Sequence, residues 1–337
     1  MQVSQTNTCR ACADAEFAAR YDAPDTMYGT GESFAYGECG RCGSLTLLAP
    51  PDDFTPYYPP TYLSMTVDPA ALGAAPMVAV TVMARSMLRG RGVAGRVGRV
   101  VPVRRVQTMA TILESVARVP GRRPRRVLDV GSGSGMVPLA VSLAGDVDVL
   151  GIDPFAAGDR RLGEHAELRA VTLDAVTGTF DLVMLHHSLE HMLDPLDALR
   201  DARRLLSDDG VVLVRVPTAS SRAWQEYRTD WIQLDPPRHV WIPSRPGMAS
   251  LARRADLEIV ATYDDSNEFQ FWGSEQARRG IPLMDPRSHF VDAKASVFSA
   301  RELRGFRRRS RDLNRSLAGD QTVVYLRAAA RPADVAA

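Results

Sequence analysis

A short apolar run that ends beside a carboxylate and turns at once through three glycines constrains this chain more than any other feature. Val127 to Val130 reads as a buried strand, Asp129-Val-Gly131-Ser-Gly133-Ser-Gly135 follows, and the apolar stretch Met136 to Leu143 reads as the next helix. Glycines at a strand-to-helix turn let a ligand come against the backbone. A second strand, Val147 to Ile152, leads into Asp153, which lies 22 residues after Gly131. An acid at about that distance is placed to accept hydrogen bonds from two ribose hydroxyls. From Arg126 onward, short apolar runs alternate with helical stretches, the βα alternation of a doubly wound α/β sheet. The glycine turn alone also suits a dinucleotide, whereas a nucleoside triphosphate is excluded because no Lys-Ser or Lys-Thr closes it.

The later runs narrow the choice. Phe180-Asp-Leu-Val-Met-Leu-His186 is followed by His187-Ser-Leu-Glu-His191-Met-Leu-Asp194-Pro195, and then by Leu205-Leu-Ser-Asp-Asp-Gly210-Val-Val-Leu-Val-Arg-Val216-Pro217. With Asp129 standing before the glycines, these segments resemble the class I S-adenosylmethionine-dependent methyltransferases over about Arg126 to Val260. Thr322 to Ala328 supplies the last strand of that sheet. The resemblance implies a Rossmann-like, seven-stranded methyltransferase fold, with S-adenosylmethionine as cofactor. Asp153 is then the ribose ligand, Gly131 and Gly133 give close approach, and Asp129 orders the loop or the donor's amino group. Asp174, after the third strand, is the candidate at the adenine edge. His186 and His187 end the fourth strand at the carboxyl end of the sheet, where such folds bind ligands, and His186 is a further cofactor-side candidate.

Methyl transfer to oxygen or carbon requires removal of a proton from the acceptor, and histidine suits that task near neutral pH. His191 follows Glu190 after the fourth strand. His239 lies in Trp231-Ile-Gln-Leu-Asp235-Pro-Pro-Arg238-His239-Val-Trp241, where two prolines are expected to project the loop. His239 is the expected general base, with His191 as the second catalytic residue. The Asp235-Pro-Pro segment superficially resembles the Asp-Pro-Pro-aromatic motif of amino-directed nucleic-acid methyltransferases. That motif follows the fourth strand, however, and here Arg238 replaces its aromatic residue, so the segment reads as a proline turn.

All four cysteines fall in the first 42 residues, as Cys9-x-x-Cys12 and Cys39-x-x-Cys42. Two such pairs form a tetrahedral site of the kind structural zinc prefers, and with four sulfur ligands no position stays open for a catalytic water. Paired disulfides are the alternative, disfavoured in a cytosolic chain. Gly40 and Gly43 suit the second knuckle. A four-cysteine segment ahead of this donor fold is similar to sugar methyltransferases that carry a zinc-binding domain. Cys39-Gly-Arg-Cys42-Gly-Ser-Leu-Thr-Leu-Leu and Pro56-Tyr-Tyr-Pro-Pro-Thr-Tyr62-Leu-Ser resemble the deoxysugar C-methyltransferases, whose two catalytic histidines fall by motif on His191 and His239. Those enzymes place a tyrosine and an acid where Pro236, Pro237 and Arg238 stand here, which favours O- over C-methylation. Phe269-Gln-Phe-Trp272-Gly-Ser-Glu-Gln with Gly280-Ile-Pro-Leu is similar to methyltransferases associated with bacterial surface polysaccharides. The implied acceptor is a nucleotide sugar, glycan or glycosylated metabolite, with Tyr57, Tyr58 and Tyr62 on the acceptor side.

Charge is unevenly spread behind a formal net of +1: Arg85 to Arg126 holds twelve arginines against the single acid Glu114, and Arg301 to Arg315 holds seven against Glu302 and Asp312. Solvated helix faces account for such runs; an anionic acceptor, an anionic membrane surface or RNA would use them. An RNA methyltransferase with the zinc module and the arginine stretch as its binding arm is the alternative function. Few aromatic residues interleave those arginines, which argues against base stacking. A non-catalytic scaffold on the same fold would fail to bind S-adenosylmethionine. With 45% hydrophobic and 24% charged residues over 337, the composition excludes disordered, collagenous and coiled-coil chains. No apolar run is long enough to cross a bilayer, and Met1 to Cys9 carries no apolar signal segment, so a cytoplasmic protein is expected. The expected organisation is a zinc module at 1–66, a basic, mostly helical connector at 67–124, and a donor-binding domain at 125–330. An insertion at about 265–320, between the last two strands, is expected to cover the acceptor site.

Overall fold

The computed structural model describes residues 7–59, 74–89 and 104–330. Tyr62 and the glycine-punctuated part of the first arginine stretch, 90–103, lie outside the described residues. The N-terminal segment forms three antiparallel strands, β1 (Phe17–Pro24), β2 (Ser33–Cys39) and β3 (Leu45–Leu47). Two helices follow, α1 (Ala74–Leu88) and α2 (Arg104–Ala117). The main sheet then begins with β4 (Arg126–Val130), and α3 (Met136–Ser142) leads into β5 (Asp148–Ile152), the two-residue β6 (Arg160–Arg161) and β7 (Ala166–Arg169). Next come β8 (Phe180–His186), α4 (Pro195–Arg204), β9 (Leu206–Pro217) and α5 (Arg222–Tyr227). The chain ends through β10 (Trp241–Ile242), α6 (Arg245–Arg254), β11 (Leu257–Asp264), α7 (Phe269–Arg278), α8 (Ala300–Arg315) and β12 (Gln321–Ala328).

The main sheet runs β11-β12-β9-β8-β4-β5-β7-β6. Setting aside the short edge strand β6, this is the expected seven-stranded methyltransferase order, with β12 antiparallel to both of its neighbours. Central strands apolar on both faces require cover on both sides. Val127, Val149, Leu182 and Met184 pack beneath α1, α2 and α3. Leu128, Val130, Val183 and Leu185 face the opposite layer, which includes α4, α6 and the N-terminal strands. The helices expected to form a connector are therefore one covering layer of the sheet, because their apolar faces carry Val80, Met83, Leu113 and Val116 into its core. The chain moves outward from β4 through β5 to β7, then returns to the other side of β4 with β8. That reversal opens the crevice at the carboxyl ends of β4 and β8.

The N-terminal strands do not stand alone. β10 pairs antiparallel with β3, placing Trp241 opposite Thr46 and Ile242 opposite Leu45, and so completes a four-stranded sheet from both ends of the chain. Beside this seam the Arg238 guanidinium, fully buried, lies 2.6 Å from Asp25 and 2.6 Å from Asp235. The loop that the two prolines were expected to project is buried from Leu234 to Ile242, because Arg238 and Trp241 anchor it inward. Between β11 and β12, Trp272 of α7 and Leu283 and Phe298 of the segment that joins α7 to α8 cluster with Ile232. Several α8 arginines pair within the protein, Arg307 with Glu268 and Arg309 with Glu226, while Arg301, Arg304, Arg308 and Arg311 line one exposed helix face.

Removing Arg238 strands two buried carboxylates, so Arg238→Ala should cost about 3–5 kcal/mol, measured as a lower urea midpoint. Asp320 gives the fold a pH dependence. Burial pushes its carboxyl up to about 7, against hydrogen bonds from Trp231 and Ser266 and with help from Asp264. The folded state then binds this proton more tightly than the unfolded chain, whose carboxyl titrates near 4. Stability from this group is complete below about pH 4 and is lost as pH rises toward 7. Urea unfolding across that window should show the slope, and Asp320→Asn should remove this group's share of it, leaving that of Asp129, which burial also raises to about 7.

Candidate functional site

Asp129 ends its strand almost fully buried, and its Oδ2 accepts a hydrogen bond from the Ser132 hydroxyl at 2.8 Å. Burial, opposed by that hydrogen bond and aided by Asp153, pushes the Asp129 carboxyl up to about 7. Its place is under the glycine loop, which it ties to β4. Gly131, Gly133 and Gly135 all take positive φ, at 76°, 52° and 84°. A Cβ on Gly131 would stand 2.6 Å from the Ser188 Cβ, so only glycine lets this loop pack against the segment after β8. The loop turns several donors inward: Gly131 and Ser132 both donate to the Ile152 carbonyl, at 2.9 and 3.0 Å. It is therefore no phosphate cradle, and a donor without phosphate fits it better than a dinucleotide.

Asp153 follows β5 directly. Its Oδ2 accepts from the Gly133 N–H at 2.8 Å and its Oδ1 from the Phe155 N–H at 2.9 Å. A carboxylate has about four acceptor positions, so capacity remains for a diol. Phe155, which the sequence reading missed, stands 80% exposed two residues away and offers an aromatic face beside that acid. An apolar ring exposed directly after a strand's polar end was the available signal. Asp174 is exposed in a single helical turn, its carboxyl held below the usual range first by the Thr172 hydroxyl. His186 shares the parity of Leu182 and Met184, and its Nε2 lies 3.1 Å from Ser115 of α2. Its imidazole is thus engaged with the helix layer and does not turn into the crevice as the sequence suggested.

The structure brings His191 and His239 together, with ring centroids 4.8 Å apart. His239 is held by three chain segments: its Nδ1 lies 2.8 Å from the Gln233 carbonyl, its own carbonyl accepts from the Tyr36 hydroxyl at 2.6 Å, and its Nε2 stands 3.9 Å from Glu190. His191 Nδ1 lies 2.9 Å from the Arg238 carbonyl and 3.1 Å from the Tyr58 hydroxyl. Burial, with the neighbouring His239, holds the His191 imidazole below its usual range and so neutral near pH 7. Tyr58 is pushed up by burial, then by Asp235, and remains a phenol. Glu190 is completely buried. Burial works against its charge, but the hydrogen bond from His187 and the nearby imidazoles outweigh it and hold the carboxyl at about 2. Glu190 and Asp25 are participants that the sequence did not reveal, because nothing local to either residue announces its distant partner. Tyr57 is also buried here, its carbonyl facing Arg238 at 3.5 Å.

The four cysteine sulfurs gather within 4.8 Å of one another, with no disulfide. Two equivalent turns present them: Ala13 N–H donates to the Cys9 carbonyl and Gly43 N–H to the Cys39 carbonyl, each at 2.8 Å, with φ of 62° at Ala13 and 72° at Gly43. Gly43, and not Gly40, is the left-handed residue of the second knuckle. Ser244 donates to the Cys42 carbonyl and Arg254 to the Ala11 carbonyl, fixing the cluster to α6 and its start.

Comparison with known proteins places this geometry in context. Residues 104–262 match the family model described as a methyltransferase domain. A tRNA U34 carboxymethyltransferase of Ectopseudomonas mendocina is 32% identical over 156 residues, covering 42% of this chain and 48% of that protein. A ubiquinone biosynthesis O-methyltransferase of Actinobacillus pleuropneumoniae is 30% identical over 115 residues, covering 30% of this chain and 49% of that one. The chain thus spans about half the length of the curated relatives it matches. Among solved structures, an O-methyltransferase from a trans-AT PKS multienzyme of Brevibacillus brevis in complex with S-adenosyl-L-homocysteine shares 16% identity, covering 73% of this chain and 80% of that one at a TM-score of 0.43. At that score the likeness adds nothing to the strand order. No helix among the described residues is long and apolar enough to cross a membrane. The family match, the strand order and the acid-flanked glycine turn agree in giving this chain a methyltransferase domain over residues 104–262.

Proposed function

We propose that this chain transfers a methyl group from S-adenosylmethionine to a hydroxyl of a sugar-containing acceptor, with His239 as general base and His191 beside it. The observation that carries this reading is the tautomer of His239. A carbonyl can only accept, so the 2.8 Å contact with Gln233 puts the proton on Nδ1 and leaves the Nε2 lone pair to take a proton. That nitrogen stands 3.9 Å from Glu190, which belongs to the segment after β8 whose Ser188 packs on the glycine loop. When bound, S-adenosylmethionine supplies an electrophilic methyl on a sulfonium. Asp153 would hold its ribose, Phe155 and Asp174 would border its adenine, and Gly131 and Gly133 would let it approach the backbone, with Asp129 holding the loop.

The cysteine cluster fits a structural zinc. Four sulfurs complete a tetrahedral site and leave no open position, so the ion's role here is to hold the N-terminal strands that bear Tyr36 and Asp25.

Labelled S-adenosylmethionine added to an extract of the source cells should place label in a sugar-bearing fraction. Label released by nuclease would overturn the reading in favour of RNA. With the acceptor in hand, Asp153→Ala should cripple donor binding, measured by calorimetry. His239→Ala should lower kcat by about 10²–10⁴-fold and leave donor affinity nearly intact; equal losses in both would remove His239 from the chemistry. Stripping the metal with a chelator should release about one zinc per chain, lower Tm and depress kcat well before donor affinity falls.

A further inference from the structure

Three side chains, His239, His191 and Glu190, gather at the proposed acceptor end. His239 and His191 each contact a backbone carbonyl through Nδ1, at 2.8 and 2.9 Å, so each keeps a lone pair on Nε2. The Tyr58 oxygen can only share the His191 proton. His187 fixes the third partner. A guanidinium has no acceptor, and Arg215 Nη1 lies 2.6 Å from His187 Nε2, so that nitrogen takes the hydrogen bond and His187 carries its proton on Nδ1. This Nδ1–H donates to Glu190 Oε1 at 3.1 Å. Glu190 Oε2 is left buried with no hydrogen-bond donor among the described residues. A ligating atom from each of Glu190, His191 and His239 lies within 4.8 Å of the others.

A buried carboxylate oxygen without a donor is costly unless a ligand supplies one. Such a ligand must bring several donors to one small volume and must not be anionic at that point, since Glu190 would repel it. We propose that Glu190 and His239 grip two adjacent hydroxyl groups of the acceptor, one donating to Glu190 Oε2 and the other to His239 Nε2, so that the substrate is a vicinal diol. This rests on the sugar-directed reading above and narrows it: any phosphate of the acceptor lies away from the reacting carbons. As the His239-side oxygen forms its bond to the donor methyl, the S–CH₃ bond breaks and its electron pair returns to sulfur. The hydroxyl proton passes to His239 Nε2, and the imidazolium then releases it to solvent. Glu190 stays ionised, holds the neighbouring hydroxyl and stabilises the imidazolium 3.9 Å away while it exists. The methylated oxygen no longer donates to His239, which favours product release.

The test is the binding of simple probes to the full chain saturated with S-adenosylhomocysteine, followed by NMR of the histidine rings. Cis-cyclohexane-1,2-diol should bind about 10- to 100-fold more tightly than cyclohexanol or 2-methoxycyclohexanol, the worth of a hydrogen bond to a charged group. Glu190→Met should erase that preference while S-adenosylhomocysteine affinity reports an intact donor site. If this variant does not fold, the wild-type comparison of diol with mono-ol still decides. Equal binding of the three probes, or a preference that survives in Glu190→Met, overturns the proposal. So does Mn²⁺ alone binding at this cluster in wild type and displacing the diol, which would assign the cluster to a cation. A diol preference accompanied by no methylation of any sugar fraction would uphold this inference and defeat the sugar reading.

Discussion

One buried guanidinium organises the part of this molecule that holds His191 and His239. Arg238 lies between Asp25, from the N-terminal strands, and Asp235, from the loop that carries His239. Its planar fork can satisfy both carboxylates at once, as a lysine could not. Burial opposes its charge, but the two acids outweigh it and hold it more firmly protonated than usual. The residue next to the proposed base is thus fixed by partners 213 and 3 positions away. The N-terminal strands, the base and the second histidine then form one structural unit, because the Arg238 carbonyl itself accepts from His191.

A second chain of polar contacts closes around the same place from behind the sheet. Glu190 receives His187, His187 receives Arg215, and Arg215 donates to Asp265 at 2.7 Å. Gln321 at the start of β12 donates to Asp265 and faces Gln233, whose carbonyl holds His239. Each link uses a donor that cannot accept or an acceptor that cannot donate, so the network admits one arrangement of protons. Networks of this kind rigidify a site when fully satisfied. Here the unsatisfied atom is Glu190 Oε2, on the carboxylate whose other oxygen stands 3.9 Å from His239 Nε2.

The glycine turn and its flanking acids were legible in the sequence because the pattern is local: strand, acid, glycines and second acid succeed one another within about thirty residues, and each signal is a backbone requirement. The alternation gave a doubly wound sheet, and the resemblance to methyltransferases implied its strand order. The four cysteines were legible for a similar reason, since paired thiols at fixed spacing report themselves. The acceptor half was legible only as far as its histidines. Arg238 read as a departure from a motif and proved to be a buried clamp, because its partner Asp25 lies in another segment. The loop with two prolines read as a projection and is buried, since proline limits local conformation but says nothing of what packs over it. His186 read as a crevice residue and faces α2, a matter of strand parity at a strand's last position that sequence leaves ambiguous by one residue.

The seam between β3 and β10 sets an order of events during synthesis. β3 leaves the ribosome with one edge unpaired, and Trp241 and Ile242, which cover it, follow almost 200 residues later. At about 5–20 residues per second that edge stays open for roughly 10–40 s. Open edges recruit other strands, and β3 is only three residues long, all of them buried in the finished molecule. A nascent chain that gathers its cysteines early therefore holds half of the docking site of the loop bearing His239 in waiting. The cluster of Glu190, His191 and His239 can be completed only after β10 has been made and has docked on β3.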